Sequence, residues 1–288
     1  MRAALLLPLL LLVAGCDGTA PRIASRAPDQ PALPRIVSIN PCVDAVLMQV
    51  ADPRQIAGIS HYSQDPRATS VPLDWARRFT ATSGTAEEVV ALAPDIVIAG
   101  GHVAPSTLAA LDRMGIPLVQ IGVPESIAES IEQIGTIARA AGRVAEGQAL
   151  VARIEAAVAS ARPAGGRPVP ALIWQGGGLV PGSGTLASEL LATTGFRNSS
   201  ADYGLERWDV LPLEPLVARP PRVLLSVGGQ GREDRMLSHP VLAHLKDRIA
   251  VRAYPERLLH CGGPTIIDAV RHLARIRQSL GQPPGQTS

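Results

Sequence analysis

Two stretches of this chain repeat one another, and the repetition limits the folds open to it. EEVVALAPDIVIAGG begins at Glu87 and EPLVARPPRVLLSVGG at Glu214, an offset of 127 residues (214 − 87). Each leads from a glutamate through a branched apolar residue and Val-Ala to a proline. A β-type run that ends in glycine follows. One helix–strand unit used twice points to two α/β halves of similar build.

The flanking segments agree. RIVSI (35–39), IAGIS (56–60), DIVIA (95–99) and PLVQI (117–121) are rich in β-branched residues and bounded by Gly, Pro, Asn or Asp, which predicts strands. Helices are predicted over 42–51, 86–92 and 105–114, the second opened by a capping box of Thr85 and Glu88. The second half has strands at 171–174, 222–227 and 249–254 and helices at 185–194, 238–246 and 264–280, with Gly195 at the C′ position of the first helix. Between the halves, Val144 to Ala161 is a long helix-favouring stretch whose weak point is Gly147, and the breaker RPAGGRPVP follows it. The predicted fold class is α/β: two Rossmann-like lobes with mainly parallel sheets, joined by one long bridging helix. The expected boundaries are 35–142 for the first lobe, 143–162 for the bridging helix and 163–281 for the second lobe.

The N-terminus indicates export. Arg2 precedes an apolar run from Ala3 to Ala14, too short to span a bilayer but suited to a signal-peptide core. Val13-Ala14-Gly15-Cys16 resembles a bacterial lipobox, so residues 1–15 are expected to be removed and Cys16 to carry the lipid anchor. Asp17 resembles the residue that keeps such proteins on the inner membrane, which places this one on its periplasmic face. Residues 16–34 read as a flexible tether and 282–288 as a disordered tail. A net charge of +2 makes no case for nucleic acid, and Lys246, the sole lysine, lies in no phosphate-binding loop. With Cys16 acylated, Cys42 and Cys261 are left, an even number in an oxidising compartment.

The order RIVSINP, GISHYS, AEEVVALAPDIVIAG, bridging helix, Trp208-to-Glu214 and CGGP resembles the cobalamin, haem and ferric-siderophore binding proteins of ABC importers. The resemblance covers residues 35 to 280. It implies a ligand held between the lobes and no intrinsic cofactor, the cargo being a metal chelate: a corrinoid, a ferric siderophore or haem. The implied partner is an ABC permease dimer with its ATPase subunits. Glu87 and Glu214 match the family's lobe-tip acids, which meet arginines of the two transporter subunits.

In open α/β sheets ligands bind at the carboxyl ends of the strands. Those segments supply Pro41, Cys42, His61, Tyr62, Gly100, Gly101, Trp174, Gln175, Trp208 and Cys261 as candidate ligand contacts, with Trp174 equally suited to the core. The chain is poor in Trp around position 81 and at 100, where the cobalamin binders of that family carry aromatic rings, and Gly100-Gly101 leaves space instead. Under the family fold Cys42 and Cys261 lie at the cleft on opposite lobes, and three roles are open. They are small residues with no joint part, or a disulfide that clamps or gates the cleft, or contacts to the ligand or its metal, with His61, His102 and His260 nearby. A hydrolase is the alternative from another class, but Ser183 lies in PGSG outside any GxSxG frame, and HExxH and CxxC are absent. A free-metal importer component is the other alternative, and no His-rich loop supports it. The expectation is a binding protein, not an enzyme.

Overall fold

The computed structural model describes residues 33–227 and 248–280. The expected lipidation at Cys16, most of the tether, the helix at 238–246 and the tail lie outside the described residues. The first half opens with β1 (Ile36–Ser38), α1 (Pro41–Val50), β2 (Ile56–Ser60), α2 (Leu73–Ala76) and β3 (Ala81–Thr82). It continues with α3 (Ala86–Ala91), β4 (Ile96–Gly100), α4 (Pro105–Arg113) and β5 (Leu118–Ile121). Two long helices follow, α5 (Ile127–Ala140) and α6 (Val144–Ala161). The second half contains β6 (Val169–Trp174), β7 (Leu179–Val180), α7 (Leu186–Thr193), β8 (Phe196–Asn198), β9 (Asp209–Val210), α8 (Leu213–Ala218), β10 (Val223–Val227), β11 (Ala250–Tyr254) and α9 (Thr265–Ser279).

The first sheet has the order β3-β2-β1-β4-β5 and the second, read in the same sense, β8-β6-β10-β11. Among the described residues every pair in these two sheets is parallel, and the short β7–β9 ribbon is antiparallel. Sequence repetition thus becomes structural repetition. Helix α3 leads into β4 beside central β1, and α8 leads into β10 beside central β6. The central strands need cover on both faces, since β1, β2, β4, β6 and β10 are mostly apolar and largely buried. Val37, Val89, Val97 and Leu111 fill the outer face of the first sheet, and Leu172, Trp174, Leu216 and Leu224 that of the second. The inner faces share one core. It runs from Ile36 and Leu47 through Ile134, Leu150 and Ile154 to Ile173 and Leu273.

Helix α6 has the predicted bounds, and α5 is a helix beyond those predicted. Ser126 caps α5 by accepting from the N–H of Glu129 at 3.1 Å. The capping box predicted for α3 forms by half. Thr85 Oγ1 accepts from the Glu88 N–H, but the Glu88 carboxylate turns to the N–H and hydroxyl of Ser83 and the hydroxyl of Thr82. Among the described residues no helix is long and apolar enough to cross a membrane.

Gly147 has a packing reason. A Cβ there would lie 2.4 Å from the Cβ of Ala138, so the glycine lets α6 close on α5. Gly147→Ala gains up to about 1 kcal/mol of helix propensity but overpacks this contact at a cost of about 1–3 kcal/mol. The variant is expected to unfold at lower denaturant concentration than the parent, and adding Ala138→Gly should recover part of the loss.

Candidate functional site

The carboxyl ends of strands from both halves open onto a cavity of about 420 Å³. Asn40 follows β1, Gly101 follows β4, Val123 follows β5 and His260 follows β11, and all four line it. Helices α1, α5, α7 and α9 begin at its wall. Asn40 Oδ1 starts α1 by accepting from the N–H groups of Cys42 and Val43 at 2.8 and 3.2 Å, with Pro41 in the first turn. Gly100 makes room for that cap, because a Cβ there would sit 2.4 Å from Asn40 Nδ2. Gly101 has open space around it. The remaining lining is largely apolar, including Val46, Ile121, Leu186 and Leu258.

Cys42 and Cys261 are joined in a disulfide with their Cα atoms 5.2 Å apart. It links the first turn of α1 in one half to the segment before α9 in the other, and both residues line the cavity. The bond occupies both sulfurs, which removes thiolate as a metal ligand in this state. The glycines after Cys261 are what let the chain reach. A Cβ on Gly262 would lie 2.7 Å from Ser130 Oγ and 2.9 Å from Pro124 Cγ. Gly263 has φ +62° and donates its N–H to Ser130 Oγ at 2.6 Å. HCGGP is therefore a tight seam against α5.

Other polar contacts cross the same seam. The Ile127 N–H donates to Glu189 Oε2 at 2.7 Å, and Arg207 pairs with Glu125 at the exposed rim. The rim pair adds little stability because water and salt screen it.

Of the residues singled out from sequence, Cys42, Gly101, Trp208 and Cys261 line the cavity, and Trp208 is 42% exposed beside it. Pro41 and Gly100 stand behind that wall. Trp174 is fully buried, because it shares the outward face of β6 with Leu172 and packs into the outer core of the second half. The Gln175 N–H is engaged with Leu179 O at 2.9 Å in the turn below. His61 and Tyr62 stack at 4.0 Å on the turn after β2, and neither lines this cavity. The sequence reading missed Pro124, Ser130, Gln133 and Ile137, which belong to α5 and its approach. No group of three or more His, Cys, Asp or Glu is placed to hold a metal ion among the described residues.

Glu87 and Glu214 occupy the first turns of α3 and α8, both exposed. Glu88 is committed to the loop, and its hydrogen bonds from Ser83 and Thr82 hold its carboxyl below the usual range.

Residues 36–251 match the family described as periplasmic binding protein. A curated relative, the "Cobalamin-binding protein" of Halobacterium salinarum, is 27% identical over 215 residues, which cover 71% of this chain and 56% of the relative. The chain thus spans about half the length of the curated relatives it matches. Among solved structures, the periplasmic haem-binding protein HutB of Vibrio cholerae aligns with TM-score 0.70 at 18% identity, covering 86% of this chain and 99% of the other. The periplasmic haem-binding protein RhuT of Roseiflexus sp. RS-1 aligns with TM-score 0.66 at 24% identity, with the same coverage. The periplasmic vitamin B12 binding protein BtuF of Vibrio cholerae gives 0.66 at 18%, again covering 86% and 99%. These likenesses establish the fold.

Behind the disulfide, Asp44 is fully buried in α1. Its Oδ2 accepts from the Ser60 N–H at 3.0 Å and the Ser63 hydroxyl at 2.6 Å, which ties the turn bearing His61 and Tyr62 to the wall of the cleft. Burial pushes this carboxyl up to about 7, against the hydrogen bonds that favour its anion. The folded chain holds that proton more tightly than the unfolded chain does. Asp44 therefore contributes fully below about pH 4, and its contribution is lost as pH rises through about 7. Asp44→Asn should remove a fall in unfolding free energy between these limits, on the order of 4 kcal/mol at most. Urea melts of both proteins at pH 4, 5.5 and 7.5 measure it.

Proposed function

The chain belongs to the periplasmic binding protein family, and from that premise we propose that it captures a metal chelate in the cleft between its lobes and delivers it to an ABC permease. The chelate is a corrinoid, a ferric siderophore or haem. The observation that carries the reading is the cavity, walled by both halves and largely apolar, with the Trp208 ring at its edge. An apolar wall with few polar groups suits a ligand that brings its own metal donors, because such a site supplies surface burial and orientation. The Halobacterium relative is named for cobalamin, a ligand of that class. Cys16 carries the lipid that holds the protein at the membrane.

Delivery needs recognition by the permease. Glu87 and Glu214 present one exposed carboxylate from each half, on corresponding helices of a repeated unit. Two such acids suit a two-fold membrane dimer bearing basic residues, since charge complementarity sets register and speeds encounter.

Native mass spectrometry of the purified protein mixed with cobalamin, cobinamide, haemin or ferric siderophores is expected to show one mass increment that names the cargo. A folded protein with no increment from any chelate contradicts the reading. The Glu87→Ala/Glu214→Ala double variant should abolish uptake in cells while leaving chelate affinity within about twofold, since neither glutamate lines the cavity. Uptake that survives the double change contradicts the docking role.

A further inference from the structure

The bond that crosses the cleft has a consequence for ligand exchange. Proteins that hold ligands between two lobes commonly exchange them by parting the lobes about a hinge. In this chain the cavity wall itself contains a covalent tie between the lobes, from Cys42 to Cys261. The contacts beside it are weak by comparison: Gly263 N–H to Ser130 Oγ, Ile127 N–H to Glu189, and Ser70 Oγ to Arg257 O at 3.0 Å. Single hydrogen bonds open and close thermally, and a disulfide does not. The tie also faces the ligand space. Cys261 is only 7% exposed, yet it and half-buried Cys42 both line the cavity.

We propose that the Cys42–Cys261 disulfide is a redox latch on the cleft, opened by thiol–disulfide exchange with a dithiol that reaches it through the cavity. The inference rests on the reading of the cleft as the ligand site. In the oxidised protein the latch holds the cleft at its present width, so ligand enters and leaves with small lobe movements. In exchange, a thiolate of the dithiol attacks Cys261 Sγ, a mixed disulfide forms, and Cys42 leaves as a thiolate. The second thiol of the reductant then attacks the mixed disulfide, releasing Cys261 and closing the reductant's own disulfide. Two electrons and two protons pass from the dithiol to the protein. Cys42 is the better leaving group because its sulfur lies at the positive end of the ten-residue helix α1, which favours a thiolate. With the tie cut, the mouth of the seam keeps only its hydrogen bonds and the Arg207–Glu125 pair, above the apolar core that the two halves share. A chelate seated in the cavity covers the bond, so the empty protein is the form open to exchange.

Hydrogen exchange without any ligand tests this. The native protein is compared before and after dithiothreitol, with the Cys42→Ser/Cys261→Ser variant as a reductant-free counterpart. Thiol labelling is expected to show that dithiothreitol opens the bond in the folded protein. Peptides carrying the Ile127 and Gly263 amides should then exchange about tenfold faster or more, while those from the sheet centres at Val97 and Leu224 stay unchanged. Three results overturn the proposal: a bond that resists dithiothreitol until the protein unfolds, seam amides that keep their protection after reduction, or faster exchange throughout both sheets. Because no chelate takes part, failure of the latch shows here, whereas failure of the chelate reading shows in the mass spectra.

Discussion

One covalent bond between the start of α1 and the approach to α9 sets how the rest of this molecule fits together. Around it the chain is shaped for closeness. Gly262 has no side chain because Ser130 and Pro124 fill that space, and Gly263 adopts a backbone that favours glycine. Beneath the bond, one continuous apolar core passes from the first sheet through α5 and α6 to the second. Lobes that share a core and a disulfide lack the freedom of domains joined by a loose linker. The disulfide and the shared core leave little room for a wide hinge motion.

The same geometry places the chemistry. Parallel strands deliver their carboxyl ends to one side of each sheet, so the two repeated halves face each other across a cavity ringed by helix starts. The interior supplies apolar surface, an exposed tryptophan and the disulfide. The outside presents two exposed glutamates in the first turns of α3 and α8.

Much of this was legible beforehand, for physical reasons. The repeat around Glu87 and Glu214 marked two units because a helix packed on a parallel strand demands the same apolar pattern wherever it occurs. Strand cores such as IAGIS and RVLLSV stood out because both faces are buried. Helix α5 was legible too, in Ser126 with Glu129 and in the spacing of Ile127, Ile134 and Ile137, but its pattern went unread. With it went Ser130 and Pro124, half of the seam. The two-residue strands β3, β7 and β9 leave no periodicity to read. Trp174 belongs to the core by strand register, which fixes which face a residue takes, and composition is silent on that. The pairing of Cys42 with Cys261 depended on how close the lobes stand, a distance no local pattern encodes.

The central claim is that these two cysteines join the lobes in the exported protein. Alkylating the protein as isolated from cells, without reduction, and mapping its proteolytic peptides by mass tests it directly. The account predicts one linked pair of peptides containing Cys42 and Cys261, with no alkylation at either position. Full alkylation of both, in protein that is folded and exported, contradicts it.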